Sequence, residues 1–411
     1  MNIATKIKLS VMMFLQFFVW GGWYVTMGPF AGTNLHATGA QTGALYSTQS
    51  WGAIIAPFIV GMIADRYFNA EKILAVLHII GAVLMYQCYR AADISAFYPY
   101  VLGYMILYMP TLALVNSVSF NQMKDTEKEF SSIRVWGTIG WIVAGLAISF
   151  VFHWDAAENL SKGALKYTFL MSAVASLILG LFSFTLPATP PKPSTGEKLS
   201  IVQILGLDAL KLLKDKNFLV FFIASILICI PLAFYYQNAN SFLTEIKVDN
   251  PTGKMTIGQF SEAAFILALP IFFKRFGFKW TILVGMFAWA ARYIMFAYGN
   301  AGELSFLLII GIALHGVCYD FFFVSGQIYT DSKAGSQYKS AAQGMITLAT
   351  YGVGMLIGFY IAGVISDAYN AGGVHDWKMI WLIPAGIAAA VLILFLLFFN
   401  DKSKANTSVE A

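Results

Sequence analysis

The chain has 411 residues, of which 58% are hydrophobic, 16% aromatic and only 11% charged, with a formal net charge of +5. A soluble globular domain carries about 25% charged residues, so less than half the usual supply for a water-facing surface is present. Disorder, nucleic-acid binding and a secreted disulfide scaffold are excluded, and Cys88, Cys229 and Cys318, all in apolar runs without metal-ligand spacing, read as core residues.

Crossing a bilayer takes about 20 apolar residues per helix. Twelve runs meet that length, at 9–30, 43–64, 73–90, 96–118, 133–153, 165–186, 217–243, 255–273, 280–299, 304–330, 338–368 and 378–399. Lipid offers no partner to a free backbone amide, so these runs are helices. The predicted fold class is an all-α membrane protein of twelve transmembrane helices in two six-helix halves. The first run follows only Lys6 and Lys8 and lacks a small-residue cleavage site, so it is a retained span.

Between the second and third runs the chain reads Gly61-Met-Ile-Ala-Asp65-Arg66. This resembles the Gly-x-x-x-Asp-Arg loop signature of the major facilitator superfamily, and it predicts a gating loop at Gly61, Asp65 and Arg66. The equivalent place in the second half reads Pro270-Ile-Phe-Phe-Lys274-Arg275-Phe-Gly277, a degraded copy with lysine in place of aspartate. The longest polar interruption, 187–216, opens on Pro187, Pro190, Pro191 and Pro193, which break the sixth helix. Its second part spaces apolar residues helically between lysines, as in a helix lying on the membrane surface. The expected organisation is a half at 1–186, a cytoplasmic linker at 187–216, a half at 217–399 and a polar tail at 400–411. Such a division places a substrate site where the halves meet.

With the N-terminus inside, the inner segments carry 18 Lys and Arg residues against 6 outside, while Arg134 and Arg292 sit at or within spans. That bias predicts both termini in the cytoplasm.

Ionisable residues inside spans are the most informative, since each costs roughly 2.5–3.5 kcal/mol or more at the bilayer centre. Only Glu262 in the eighth run and Asp320 in the tenth are acids well inside apolar sequence. Gln259 and Glu262 are three apart and share a face; Glu262 lies roughly 10 Å from the outer end. Arg134, Thr138 and Trp141 fall on one face of the fifth run. Burial favours the protonated form of a carboxyl and a nearby arginine favours the carboxylate. A site meeting Arg134 in one conformation and not in another would take up and release a proton. Arg292, beside Tyr293, reads as a structural partner for a carboxylate, His78 as packing, and His315 as a candidate because it shares the helix of Asp320.

Aromatic residues crowd the same stretches: Trp20, Trp23, Trp136, Trp141, Tyr235, Tyr236 and Tyr319. Tyr236 with Asn240, Trp141 with Thr138, and Tyr319 with Asp320 put flat apolar surface beside polar groups. Such a cavity suits a planar base joined to a sugar, and equally a plain sugar.

Several strings resemble the nucleoside:proton symporter family of the major facilitator superfamily. They are Phe14-Leu-Gln-Phe-Phe-Val-Trp20-Gly-Gly-Trp23, Tyr108-Met-Pro110-Thr-Leu-Ala-Leu-Val-Asn116, Ile133-Arg134-Val-Trp-Gly-Thr138-Ile-Gly140, Leu205-Gly-Leu-Asp-Ala-Leu210, Gln259-Phe-Ser-Glu262, Tyr319-Asp320-Phe-Phe and Ala342-Gln343-Gly344. They run in order from the first span to the eleventh, and the resemblance is strongest to the less characterised nucleoside-transporter branch. It implies substrate positions at Arg134, Thr138, Gln259 and Glu262 and an acid at Asp320. Trp141 stands where phenylalanine is usual, Tyr319 where phenylalanine is usual and His315 where tyrosine is usual. On the seventh span two family polar positions fall on Ala233 and Tyr236, with Asn240, Gln237 or His315 as compensating groups.

The expectation is a monomeric inner-membrane symporter, not an enzyme, that takes up nucleosides with protons by alternating access, without metal or cofactor. Glu262 and Asp320 are the protonatable groups and Arg134 their switching partner; Thr138, Trp141, Tyr236, Asn240, Gln259, His315 and Tyr319 line the substrate site. The alternative is a sugar or oligosaccharide:proton symporter of the same fold. A membrane enzyme or sensor is the remote one, since neither a nucleophile–base set nor a sizeable soluble domain is present.

Overall fold

The computed structural model describes residues 1–59, 68–124, 129–191 and 207–400. Gly61, Asp65 and Arg66 of the expected gating loop therefore lie outside the described residues. The chain is almost entirely helical: α1 (Ile3–Gly21), α2 (Met27–Asn34), α3 (Gly39–Ile59), α4 (Ala70–Arg90), α5 (Ile94–Asn121), α6 (Ser131–Leu146), α7 (Ala157–Leu160), α8 (Lys166–Ser183), α9 (Lys216–Glu245), α10 (Pro251–Met255), α11 (Ile257–Tyr298), α12 (Ser305–Tyr319), α13 (Ser325–Thr347), α14 (Met355–Ala368) and α15 (Trp377–Phe398). Among the described residues, ten helical stretches are long and apolar enough to cross a membrane. One of them, Pro251–Tyr298, holds two of the expected runs. They meet at Gly277, whose φ of 75° breaks α11; glycine reaches that backbone region without a Cβ clash.

The chain divides into two compact units, Met1–Lys198 with Tyr236–Thr256, and Leu199–Tyr235 with Ile257–Ala411. In the first, α1 packs on α6, α4 on α8 and α5, and α3 on α5; in the second, α11 packs on α12 and α15. The first apolar run starts earlier and ends sooner than its hydropathy suggests. Asn2 caps α1 by accepting from the Thr5 amide at 2.8 Å, so the two lysines sit inside the helix, and α1 stops before Gly22. The surface helix expected from 205 to 216 appears, within the described residues, as a 3-10 helix over Leu207–Lys214. A hairpin of two-residue strands, Asn370–Ala371 and Val374–His375, was not anticipated. Gly372 and Gly373, at φ 64° and 90°, make its turn.

Polar caps close the helix ends outside the apolar core. The Ser95 hydroxyl and the Ala96 amide hold the Asp93 carboxyl, which caps α5, below its ordinary range. Asp215 caps α9 through the Asn217 amide at 2.8 Å and the Phe218 amide at 3.1 Å, and pairs with Lys333 at 3.2 Å. Partial burial pushes its carboxyl up, but the Phe218 amide, Lys333 and the Asn217 amide together hold it below the ordinary value. A depressed carboxyl adds stability above its unfolded range and loses it as pH falls through the folded value. Asp215→Ala is therefore expected to cost about 1 kcal/mol near neutrality and progressively less in acid, as read by thermal unfolding at several pH values.

Among the described residues, three π-helical turns interrupt the helices: Ala147–Val151, Asp320–Val324 and Leu348–Gly354. Each carries at least one polar side chain. Ser149, in the first, donates to Asp155 at 2.5 Å and accepts from the Gly253 amide at 2.7 Å. The same Asp155 oxygen accepts from the Thr252 amide at 3.0 Å. These bonds seat α10 on the end of α6, where a Cβ on Gly253 would lie 2.5 Å from the Phe150 ring. Asp155→Ala strands two buried donors, each worth roughly 1–3 kcal/mol. The melting temperature of the purified protein should fall clearly, and an unchanged value would show that α10 is held by packing alone.

Candidate functional site

In the first unit the site residues hang on the α1–α6 contact. A Cβ on Gly140 would lie 2.1 Å from the Phe14 carbonyl oxygen, and one on Gly137 2.6 Å from the Phe17 ring. Two glycines one turn apart thus let the α6 backbone touch α1, the small-residue packing that membrane helices favour. The contact sets the Arg134 guanidinium 4.1 Å from the centre of the Phe17 ring and Trp141 edge-on to Trp20 at 5.5 Å. Thr138, one turn from Arg134, is half-buried on the same side. Trp20 also meets Tyr108 at 5.5 Å and Tyr24 at 5.7 Å. An aromatic wall results, with the Tyr24 hydroxyl bonded to Gln49. Tyr236 lies against Tyr24 at 5.8 Å.

Asn240 donates to the Thr252 hydroxyl at 3.0 Å and is buried. Its amide N–H is thus committed to the corner between α9 and α10, which limits it as a compensating substrate contact. Gln237, also buried, donates to the Gly39 carbonyl at 3.4 Å. His78 proves to be more than packing. Its ring nitrogens meet Ser176 at 3.0 Å and Gln16 at 2.8 Å, and Gln16 donates on to Thr111 at 2.7 Å. Both nitrogens are used, so the ring serves as a structural node of the first unit.

In the second unit a second close approach of backbones places Glu262. A Cβ on Gly316 would lie 2.4 Å from the Ser261 carbonyl carbon and 2.5 Å from the Glu262 amide nitrogen. The hydroxyl of Ser261 donates to the Ala313 carbonyl across the same contact. Glu262 is thereby carried to within electrostatic reach of Asp320. Asp320 is fully buried, and neither carboxylate oxygen has a hydrogen-bond partner among the described residues. Glu262 and Gln259, one turn apart at the start of α11, are half-buried. Asp320 opens a π turn, and the Tyr319 hydroxyl pairs with that of Tyr351 in another. π turns are frequent at functional sites because they re-aim side chains within a helix.

His315 and Arg292 come together in a way the sequence reading missed. Arg292 was expected to serve a carboxylate. Instead its Nε donates to the Gly311 carbonyl at 3.1 Å, its Nη1 lies 3.1 Å from Nδ1 of His315, and its guanidinium sits 3.9 Å from the centre of the Tyr235 ring. Ala233 contributes packing, since a Cβ on Gly358 would be 2.6 Å from its own.

A fully buried aspartate whose oxygens find no hydrogen-bond partner among the described residues, with aromatic walls carrying amides, suits a solute carrier, and comparison with known proteins agrees. Residues 1–404 match the model of a family described as nucleoside H+ symporters. The chain belongs to the nucleoside H+ symporter family. It is 45% identical to YegT of Escherichia coli (strain K12), covering 99% of this chain and 97% of that one. It is 34% identical to the xanthosine permease of the same organism, over 98% and 96%. The crystal structure of the nucleoside transporter NupG aligns at a TM-score of 0.86 and 32% identity, over 98% of this chain and all 100% of that one. A structure of the POT family transporter PepTSo aligns at 0.72 with 14% identity, a likeness of fold alone. This symporter is accordingly a multi-pass inner-membrane transporter of the major facilitator kind, from a family of carriers and not of enzymes.

Proposed function

We propose that this symporter carries nucleosides into the cell together with protons, by alternating access of two six-helix halves. In that reading twelve helices cross the membrane, the 187–216 linker joins the halves, and both termini are cytoplasmic. The protein works as a monomer among lipids, with Gly61, Asp65 and Arg66 as its gating loop. Asp320 and Glu262 take the proton and Arg134 is their switching partner. Thr138, Trp141, Tyr236, Asn240, Gln259, His315 and Tyr319 line the path of the nucleoside, Asn240 chiefly by holding its corner.

The observation that carries the reading is Asp320, completely buried, with both oxygens unbonded among the described residues and within electrostatic reach of a second carboxyl. A fixed ion would be costly there, because an unpaired buried charge loses several kcal/mol of hydration. A group that gains and loses a proton during the cycle fits the place. The substrate class is tested by competition: in proteoliposomes with an inward proton gradient, unlabelled nucleosides should suppress uptake of labelled uridine, and free sugars should not. Suppression by a disaccharide at comparable concentration would move the assignment to a sugar symporter.

A further inference from the structure

Arg292 is an arginine with no surface exposure, deep in a membrane protein, and no carboxylate pairs with it among the described residues. Buried charges are normally paired with opposite charges. Here the guanidinium is spent on a carbonyl, an aromatic face and an imidazole, and among the described residues its Nη2 has no hydrogen-bond partner. That is an expensive arrangement for packing alone, and the side chain that it orients by a hydrogen bond is His315.

Arginine carries only donors. The 3.1 Å contact from Nη1 to Nδ1 therefore requires Nδ1 to be the acceptor, which puts the ring proton on Nε2. A doubly protonated ring would lose this bond and set two cations 3.1 Å apart. The ring is also pinned from its other sides: Tyr235 stacks on it at 5.2 Å, and a Cβ on Gly258 would touch its Cβ at 3.2 Å. Among the described residues no group bonds Nε2.

We propose that Arg292 is a positioning residue which locks His315 as the neutral Nε2–H tautomer, a one-way hydrogen-bond donor that recognises an acceptor atom of the nucleoside and stays out of the proton path. The inference rests on the nucleoside reading above. The charged and titratable groups around the ring are Arg292, Tyr235, Cys318 and Tyr319, with Asp320 five residues along the chain and Glu262 one turn beyond Gly258, which packs on the ring's Cβ; protons are left to the last two.

The test is nitrogen-15 NMR of the full-length protein with labelled histidine, in nanodiscs, from pH 5 to 8, with His315→Gln identifying the His315 signals by difference. The expected result is a single Nε2–H tautomer that does not titrate across the range. An Nδ1–H tautomer, or a wild-type ring that protonates near the ordinary value of about 6.5, overturns the proposal. In Arg292→Met the ring should titrate, and uridine affinity should fall about tenfold with a new pH inflection. Restoring the donor with His315→Tyr in that background should remove the inflection. Should Arg292→Met not fold, the wild-type spectrum alone decides. Absence of uridine binding to wild-type protein with an intact tautomer would reject the nucleoside assignment and leave the Arg292–His315 lock standing.

Discussion

Asp320→Asn is expected to abolish accumulation of nucleoside against a gradient while leaving exchange of labelled for unlabelled nucleoside across the membrane. Asparagine matches the protonated acid in shape and hydrogen-bonding size but cannot release a proton. A proton moving through 100 mV yields about 2.3 kcal/mol, enough with one proton per nucleoside to sustain roughly a fortyfold concentration ratio. In the variant the ratio should drop to one. The physical ground is the burial of Asp320 without a hydrogen-bond partner among the described residues: where charge is so poorly supported, the side chain's contribution is its change of protonation state. Undiminished accumulation by Asp320→Asn would remove it from the coupling mechanism. Glu262→Gln is expected to weaken coupling less, since Glu262 is half-buried and keeps access to other partners.

Gly316→Ala should be nearly as damaging, for a reason of packing. Its new Cβ would fall 2.4 Å from the carbonyl carbon of Ser261 and 2.5 Å from the amide nitrogen of Glu262. Those are backbone atoms, with no flexible side chain to give way, so α12 must move off α11. Forcing atoms into a tight core costs about 1–3 kcal/mol. Displacement also moves Glu262 relative to Asp320, so transport should fall more than tenfold even in protein that still folds. Gly344→Ala is the control, since nothing lies within 4 Å of the Cβ it would add. Equal uptake by the two variants, at equal amounts in the membrane, would show that the close approach of α11 and α12 does not set the carboxylate pair.

Much of this protein was decided by composition. Hydrophobic residues at 58% with charged residues at 11% point to lipid, where the backbone must satisfy its own hydrogen bonds, and continuous apolar runs of about 20 residues select helices over a barrel. Glu262 and Asp320 were legible for the same reason: a charge in an apolar run is costly enough to stand out without any coordinates. Arg134, Thr138 and Trp141 were legible from helical spacing, which depends on local geometry alone.

What sequence could not say is where each side chain's partners come from. Arg292 was read toward a carboxylate because opposite charges attract. Its actual neighbours, Gly311, His315 and Tyr235, lie 19, 23 and 57 positions away and meet only when α9, α11 and α12 pack. His78 passed for packing because Gln16 and Ser176 belong to other helices. Asp155 attracted no notice on a loop, yet it seats α10 through Ser149 and Thr252. Gly140 and Gly316 looked like two glycines among 35 until the opposing backbones appeared within 3 Å of their missing Cβ atoms. Hydrophobic transfer is non-directional and scales with apolar area, so composition and apolar runs forecast it. Hydrogen bonds and steric contacts are pairwise and directional, so only the packed helices decide them.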